Sequence, residues 1–232
     1  MLSIGLTGGV ATGKSEALKA FGASGAKTLS SDAIVKDLMK PRTAVVRKIR
    51  AHFGPGAVTP GGAVCREYLR ERILADAAEL DWLERALHPG VRKEIRAFVA
   101  KYRRASGALV VEVPLLFENG FDRLFDRTVA VRSTPEQSEA RAAKRGMSAE
   151  LYHFLSKRQW TQSRKAKAAD LVIHNTGTLT QLRSSIDDAF KKLTHVASTE
   201  GERGKGSFPS FAASAAPARK RALSAKRRSK RT

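Results

Sequence analysis

Short apolar runs alternate with amphipathic segments along most of the chain. Five runs have the length and composition of buried strands: "LSIGLT", "AKTLS", "GALVVEV", "RTVAV" and "DLVIHN". Helical spacing of apolar positions follows the first run and recurs over residues 135–145, 149–165 and 180–193. Because alternating strands and helices form parallel sheets with helices on both faces, the pattern predicts an α/β fold with a five-stranded parallel sheet.

The alternation is interrupted between residues 33 and 104, where no stretch has convincing strand character. Four amphipathic stretches in this region are predicted to be helices: "AVVRKIRAHFG", "CREYLRERILAD", "AELDWLERALH" and "GVRKEIRAFVAKY". The last two are expected to be separate helices, because His88 precedes Pro89 and a residue before proline disfavours the helical conformation. We expect residues of about 42–104 to form a helical, substrate-binding insertion over one edge of the sheet.

The first predicted strand leads into a glycine-rich turn, "GLTGGVATGKSE". Its spacing, Gly8 followed by four residues and then Gly13, Lys14 and Ser15, is that of the phosphate-binding P-loop. Glycines let the backbone turn its N–H groups inward to form an anion nest, and the following helix adds its positive dipole end. We therefore expect Lys14 to reach the β- and γ-phosphates of a nucleotide and the Ser15 hydroxyl to bind Mg²⁺.

Acidic residues follow the second and third predicted strands. Asp32, in "LSSDAI", is expected beside the γ-phosphate, where it can orient a substrate hydroxyl and accept its proton, although an N-cap of the next helix explains it equally well. Glu112 ends the third strand and can extend toward the Mg²⁺ region. Glu118 lies in the loop beyond, either in the site, or as a solvated loop charge, or as the partner of a local Arg.

Arg141 and Arg145 are four residues apart, which places both guanidinium groups on one face of a predicted helix. Two guanidinium groups on one face can clamp phosphates. More cations follow along the chain: Lys157, Arg158, Arg164 and Lys165. The pattern predicts a lid at about 141–167 that closes over a triphosphate, and a solvated basic helix is the alternative.

The net charge of the 232-residue chain is +21, of which +8 falls in residues 198–232. That segment is rich in Ser, Ala, Gly and basic residues without periodicity, so we predict a kinase domain over 1–197 and a disordered basic tail over 198–232. A basic chain suits a polyanionic substrate, but also nucleic acid. A nucleic-acid-binding ATPase is therefore the rival hypothesis, although aromatic residues make up only 6% and no zinc-ligand or RNA-binding motif is present.

The cysteine content and the hydropathy of the chain limit the cellular compartments in which the protein is expected. Cys65 is the single cysteine, which excludes an internal disulfide, and no apolar run reaches the length of a membrane span. We expect a cytoplasmic protein without a membrane partner.

Several motifs together resemble one kinase family. The stretches "IGLTGGVATGKS", "SSDAI", "LHPGVRKEI", "VEVPLLFENG" and "RQW", followed by "KAKAADLVIHNTGTLTQL", occur in this order over roughly residues 2–193. The P-loop is widespread among kinases, but the "LHP", "VPLLFE" and terminal "AD.VI.N.G" elements are specific. In these elements the chain resembles dephospho-CoA kinase, a P-loop kinase of the nucleotide-kinase type.

The resemblance implies ATP-dependent phosphorylation of the ribose 3′-hydroxyl of dephospho-CoA, the last step of coenzyme A synthesis, with ATP and Mg²⁺ bound. Asp32 takes the family's catalytic-base role beside Lys14. The residues implied to bind ATP are Gly8, Ala11, Thr12, Gly13, Lys14, Ser15, Glu16, Arg141 and Arg145. Those implied to contact the acceptor are His88, Pro114, Leu115 and Glu118, and the helical insertion corresponds to the CoA-binding region. Nucleic acid is expected to contact only the basic tail, non-specifically. A kinase of another nucleoside remains an alternative from the residues alone.

The chain departs from the family pattern at two positions near these motifs. Ala11 stands where many members have Gly, and Ser30 occupies the place of an acid often found two residues before the catalytic Asp.

The first prediction concerns the tail. Truncation after Val196 is expected to preserve catalysis, since the P-loop, Asp32 and the basic helix all precede it, and the tail composition cannot bury an apolar core. If the tail instead tethers the protein to nucleic acid, only the full-length chain binds DNA or RNA, with steep salt dependence. Kinase assays and salt-dependent binding of both forms measure this. An inactive or unfolded truncation would show that the boundary is misplaced.

Overall fold

The computed structural model describes residues 1–202, with side chains described through His195. Within that range, the predicted five strands form one parallel sheet. The strands are β1 (Leu2–Gly8), β2 (Lys27–Ser30), β3 (Ala108–Glu112), β4 (Arg127–Arg132) and β5 (Leu171–His174). The helices are α1 (Lys14–Ala23), α2 (Ser31–Leu38), α3 (Ala44–Phe53), α4 (Arg66–Ala75), α5 (Ala77–Tyr102), α6 (Pro135–Lys144), α7 (Ala149–Arg158), α8 (Gln162–Ala168) and α9 (Leu179–Glu202). The predicted fold class is confirmed.

The strand order β2-β3-β1-β4-β5 places the ends of the first three strands side by side. Glu112, the last residue of β3, lies opposite Leu6 of β1 and Ser30 of β2. Because parallel strands share one carboxyl edge, the turn after β1, the start of α2 and Glu112 converge there. This edge is where the P-loop and the acidic residues meet.

Each face of the sheet has its own hydrophobic core. On one face, α1 and α9 cover the sheet, and Phe21 packs edge-on against Phe190 at 6.2 Å between ring centroids. On the other face, Ile34 of α2 and Ile95 of α5 pack on the buried side chains of β3 and on Phe121 of the loop after it. Since both faces are covered, the strands need the continuous apolar runs that the sequence shows.

At the opposite edge, two aspartates fix the strand starts. Asp126 Oδ2 accepts hydrogen bonds from the backbone N–H (2.8 Å) and hydroxyl (2.7 Å) of Ser3. Asp170 Oδ2 makes the equivalent pair with Thr128, both at 2.7 Å. Asp170 belongs to the "AD.VI.N.G" element, so part of that motif is explained by its role in the fold.

The expected break at His88 and Pro89 is wrong: α5 is one continuous helix of 26 residues with Pro89 inside it. The buried side chains of α5 recur every four residues on both sides of the proline: Leu83, Leu87, Val91 and Ile95. The first two pack in the core of the insertion, together with α3 and α4, and the last two pack in the core on the sheet. The free energy gained by burying this continuous apolar stripe exceeds the cost of the proline, which removes one helical hydrogen bond and clashes with the preceding turn.

Helix α5 therefore joins the insertion to the sheet as one rigid element. Gly90 lies so close to α2 that a Cβ there would be 2.8 Å from Leu38 Cδ1, which shows how tightly the two helices approach. No strand forms in the predicted insertion, where the structure adds an isolated antiparallel bridge between Val58 and Val64.

The last helix extends beyond the predicted domain boundary at 197, since α9 continues to Glu202. The rest of the predicted tail, residues 203–232, lies outside the described residues. Within residues 1–202, no helix is both long and apolar enough to cross a membrane.

The second prediction concerns Pro89, which is exposed inside α5. Substitution Pro89→Ala restores a helical N–H donor and removes the steric clash, so it should raise the free energy of unfolding by about 1–3 kcal/mol. Pro41→Ala, at an exposed loop proline, is the control and should lower it by up to about 1 kcal/mol through unfolded-state entropy. Urea unfolding measures both, and a destabilised Pro89→Ala would mean that the packing of α5 requires the proline.

Candidate active site

The backbone of the turn between β1 and α1 has the conformation of a phosphate cradle. Gly13 has φ 100°, and a Cβ there would lie 2.1 Å from Asn175 Nδ2, so glycine is required both by conformation and by space. A Cβ on Gly8 would lie 2.5 Å from the carbonyl oxygen of Val131. Ala11 has φ 53°, a left-handed conformation that costs an alanine more than a glycine. The family's usual glycine at this position is thereby explained.

Lys14 is buried within this turn, with a relative exposure of 9%. Its Nζ donates to the carbonyl oxygen of Gly9 at 2.7 Å, which holds the ammonium inside the loop. The pKa of Lys14 is lowered to about 8, mainly by desolvation and also by the charges of Lys165 and Arg145, against the opposing charges of Glu112 and Asp32. An ammonium that has lost its hydration in this way is prepared to interact with an incoming phosphate.

Glu112 and Ser15 lie together beside Lys14. Ser15 Oγ donates to Glu112 Oε1 at 3.4 Å, and Glu112 is only 4% exposed. Burial raises the pKa of Glu112, and Lys14 counteracts that shift. The predicted proximity of Glu112 to the P-loop is confirmed. A hydroxyl next to a buried carboxylate supplies the hard oxygen ligands that Mg²⁺ prefers, so the donor set at Ser15 fits this ion.

Asp32 is exposed in the first turn of α2. It lies near enough to Lys14 and Glu112 for its charge to raise the pKa of both. The alternative explanation of Asp32 as a helix cap is wrong. Ser30 is the N-cap, and its Oγ accepts from the backbone N–H of Asp32 at 3.2 Å. The Asp32 carboxylate is therefore available to a substrate at the edge of the sheet.

Of the remaining P-loop residues, Thr12 stabilises the turn from within, and Glu16 lies on the surface. Thr12 is fully buried, and its hydroxyl donates to the carbonyl oxygen of Gly9 at 3.1 Å. Glu16 forms an ion pair with Lys19 at 2.8 Å on the surface of α1, so its side chain is engaged away from the turn. The contribution of Glu16 to the predicted site is its backbone N–H, one of those at the start of α1 that have no intrahelical acceptor.

Arg141 and Arg145 are not equivalent. Arg141 is held by two hydrogen bonds, from Nη1 to Ser133 Oγ (2.7 Å) and from Nη2 to the carbonyl oxygen of Asn175 (3.1 Å). Arg145 follows α6 as its C-cap and is exposed, yet its charge lowers the pKa of Lys14. Arg141 is therefore fixed against Ser133 and Asn175, whereas the exposed Arg145 lies near enough to Lys14 to influence its pKa.

Asn175 was not predicted as a site residue. It is 7% exposed, and its Nδ2 donates to the carbonyl oxygen of Thr12 at 2.9 Å, so the end of β5 is bonded directly to the P-loop. The sequence feature that could have identified Asn175 is its position in the "AD.VI.N.G" element, at the end of a predicted strand. The sequence alone cannot show that this amide lies against Gly13, because about 160 residues separate Asn175 from the P-loop.

The predicted lid is partly corrected. Helices α7 and α8 are separate, since α7 ends at Arg158 and α8 begins at Gln162. Lys165 of α8 was expected among the lid cations but is fully buried beneath the P-loop, where its Nζ lies 3.3 Å from the carbonyl oxygen of Gly8. Helix α8 therefore forms part of the wall behind the P-loop, because it packs on β1 and β4.

Arg158, at the end of α7, contacts the insertion. It donates to Asp81 Oδ1 and lies 4.0 Å from Glu84 Oε2, both on α5. Burial raises the pKa of Glu84, and Arg158 opposes that shift. The basic end of α7 is thus bound to acidic residues of α5 in the insertion and is not fully solvated.

The predicted acceptor residues lie along the loop after β3 and the middle of α5. Asn119 Nδ2 donates to His88 Nε2 at 3.2 Å, which requires a neutral imidazole, and burial lowers the pKa of His88 accordingly. The carbonyl oxygen of Pro114 accepts from Thr7 Oγ1 at 3.1 Å, and that of Leu115 accepts from the backbone N–H of Asn119 at 3.2 Å. His88 of α5 is therefore bonded to the loop that carries Pro114 and Leu115, a contact that the sequence separation did not reveal.

Glu118 is the fourth predicted acceptor residue, and it is engaged with protein groups. Its Oε1 lies 3.0 Å from Lys165 Nζ and accepts from the backbone N–H of Trp160 at 2.8 Å. Glu118 is therefore neither a solvated loop charge nor the partner of a local Arg, since it pairs with Lys165, which is distant in sequence.

Comparison with known proteins identifies the family. A family model described as "Dephospho-CoA kinase" matches residues 2–181. The chain belongs to the dephospho-CoA kinase family. The matched residues include the turn that holds Lys14 and the two segments that meet at His88 and Asn119.

Individual relatives agree over most of the chain. The dephospho-CoA kinase of Symbiobacterium thermophilum is 38% identical over 193 residues, covering 82% of this chain and 81% of that protein. The dephospho-CoA kinase of Shewanella oneidensis is 34% identical, with 79% and 89% covered. Among solved structures, TT1252 from Thermus thermophilus matches with a TM-score of 0.63 and 27% identity over 83% of this chain and 98% of that chain. The dephospho-CoA kinase from Campylobacter jejuni matches in fold, with a TM-score of 0.64 and 23% identity over 84% and 98%.

The third prediction follows from the lowered pKa of Lys14. Below pH 8 the lysine is already charged, so nucleotide binding takes up no proton there; above pH 8 binding must recharge it, and affinity should fall by up to about tenfold per pH unit. Binding of ATP to the full chain between pH 7 and 9.5 measures this slope. Lys14→Arg stays charged throughout and should flatten the slope, even if its affinity is lower. Equal slopes in the two proteins would assign the titration to another group.

Proposed function

We propose that the protein transfers the γ-phosphoryl group of ATP to the ribose 3′-hydroxyl of dephospho-CoA, giving coenzyme A and ADP. The single observation that carries the proposal is the convergence of Lys14, Glu112 and Asp32 at one edge of the sheet in a member of this family. A desolvated cation, a buried acid and an exposed acid are the groups that phosphoryl transfer to an alcohol requires.

In this mechanism the P-loop and the start of α1 bind the ATP phosphates through backbone N–H groups. Lys14 neutralises charge that develops on the transferred group, and Arg145 adds a second positive charge nearby. Asp32 orients the acceptor hydroxyl and accepts its proton, since its carboxylate is exposed and faces the phosphate region. The loop after β3 and the insertion bind the rest of the acceptor.

Mg²⁺ is the expected companion of ATP, with Ser15 as its protein ligand and Glu112 behind it. Among the described residues no group of three or more His, Cys, Asp or Glu side chains forms a dedicated metal site. That fits Mg²⁺, which keeps most of its waters and binds through few protein oxygens and the substrate phosphates. When bound, the ion neutralises phosphate charge during transfer. We place the enzyme in the cytoplasm, which its one free cysteine suits.

A coupled assay of ADP release tests the proposal, with dephospho-CoA, adenosine and shikimate as separate acceptors. Turnover with dephospho-CoA and product phosphorylated at the 3′ position is the expected result. Turnover with another acceptor alone would assign the enzyme to a different kinase activity. ATP hydrolysis that requires added nucleic acid would support the rival function, a nucleic-acid-dependent ATPase.

The fourth prediction concerns Asp32. Asp32→Asn keeps the shape and removes the proton acceptor, so kcat should fall by about 10²–10⁴-fold while ATP affinity stays within about threefold. Because Ser30 caps α2, the free energy of unfolding should fall by less than about 1 kcal/mol. Asp37→Asn, at an exposed position of the same helix, is the matched control and should retain kcat. Loss of stability with kcat preserved would make Asp32 a structural residue.

A further inference from the structure

Lys165 is fully buried, although nothing in the proposed chemistry uses it. Its Nζ contacts the carbonyl oxygens of Gly8 (3.3 Å) and Pro114 (2.5 Å), Gln159 Oε1 (3.2 Å) and Glu118 Oε1 (3.0 Å). Burial lowers the pKa of Lys165, and Glu118 opposes that shift. A buried ammonium at this depth is costly unless it is paired and hydrogen-bonded, so its position calls for a function.

The contacts of Lys165 leave it no donor for a phosphate. An ammonium has three N–H donors, and four acceptor oxygens of the protein already surround it. Lys14, by contrast, has a single protein acceptor, the carbonyl oxygen of Gly9, among its described hydrogen bonds. The two buried lysines beside the P-loop are therefore different: Lys14 faces the ligand, and Lys165 faces the protein.

The partners of Lys165 belong to segments that carry the two substrates. Gly8 is the first residue of the P-loop motif, and Pro114 is in the loop after β3 that is expected to bind the acceptor. Both carbonyl oxygens are bonded to the same Nζ, so Lys165 fixes the distance between these segments.

Glu118 extends the connection to the segment between α7 and α8. Its Oε1 accepts from both Lys165 Nζ and the backbone N–H of Trp160, while its Oε2 is buried without a hydrogen-bond partner. The indole of Trp160 contacts the Arg164 guanidinium, 3.6 Å from the ring centroid, and stacks with the ring of Phe117 at 5.8 Å between centroids. The contact with Phe117 helps to hold the segment at Trp160 against the loop after β3.

We propose that Lys165 and Glu118 act as one positioning unit, which aligns the acceptor loop with the P-loop without contacting either substrate. In this role the pair sets the relative placement of the acceptor hydroxyl and the γ-phosphate, and this placement governs the rate of an in-line transfer. The expected effect on kcat rests on the proposed function. The pairing of Lys165 with Glu118 can also be measured through ATP binding and thermal unfolding.

Three variants test the unit: Lys165→Met, Glu118→Gln and the double variant. Lys192→Met, at an exposed lysine of α9, is the control for the same substitution outside the site. Steady-state constants for both substrates are measured at a temperature where circular dichroism shows every variant folded, together with equilibrium ATP binding and thermal unfolding. Each single variant should lower kcat over the KM for dephospho-CoA by at least about tenfold, with ATP affinity changed by less than about threefold.

The double variant gives the decisive comparison. If the pair acts as a unit, the second substitution costs nothing beyond the first, and the double variant equals or exceeds Lys165→Met in activity and melting temperature. A loss of kcat/KM in the double variant equal to the product of the two single losses would overturn the proposal, because it would show that the two residues act independently. Should a single variant fail to fold, the proposal still requires the double variant to fold and to bind ATP within about threefold of the unsubstituted protein.

Other outcomes also contradict the unit. A rise of more than about tenfold in the ATP dissociation constant of Lys165→Met, not shared by Glu118→Gln, would make Lys165 a phosphate ligand. Lower melting temperatures with unchanged steady-state constants would make the pair merely structural. If the unsubstituted protein does not phosphorylate dephospho-CoA, the proposed function fails, whereas coupled effects of the two substitutions on ATP binding and melting temperature still decide the pairing.

Discussion

Burial of two ammonium groups at the end of β1, those of Lys14 and Lys165, is the constraint on which the rest of the site depends. Each loses hydration that only nearby oxygens can replace, and neither is stable there without them. For Lys165 the protein supplies all the acceptors, including the Glu118 carboxylate. For Lys14 the described residues supply one carbonyl oxygen and the charges of Glu112 and Asp32, and in the proposed function the polyphosphate of ATP completes the set. The fold thus keeps one cation satisfied and holds the other for its ligand.

This arrangement requires segments far apart in sequence to be held at fixed distances. The strand order brings β3 beside β1, so that Glu112 reaches Ser15, and β5 ends where the Asn175 amide bonds to the P-loop. Helix α8 closes the wall behind the turn. In the proposed reaction, such bonds hold the P-loop at a fixed position relative to the ends of the neighbouring strands.

The insertion is coupled to the sheet through α5. Its buried stripe passes from the core of the insertion to the core on the sheet without interruption, and His88, near the middle, contacts the loop after β3 through Asn119. A shift of the insertion would therefore move the loop that carries Pro114 and Leu115. The proposed acceptor site and the P-loop are connected by packing through α5 and by hydrogen bonds through Lys165, two independent routes.

The sequence by itself determined the parallel α/β fold, the P-loop, the helical insertion and the family, because strand periodicity and glycine spacing are local properties that survive without knowledge of contacts. The residues alone left Asp32 divided between catalysis and capping, and only the resemblance to the family favoured catalysis. The sequence also placed a break at Pro89 and counted Lys165 with the lid cations. Tertiary structure decided these: Ser30 was found to cap α2, a continuous apolar stripe carried α5 through its proline, and Glu118 was found to pair with Lys165. The reason is that burial and pairing of a charge are set by neighbours distant in sequence, and their energies exceed the local preferences that a sequence displays.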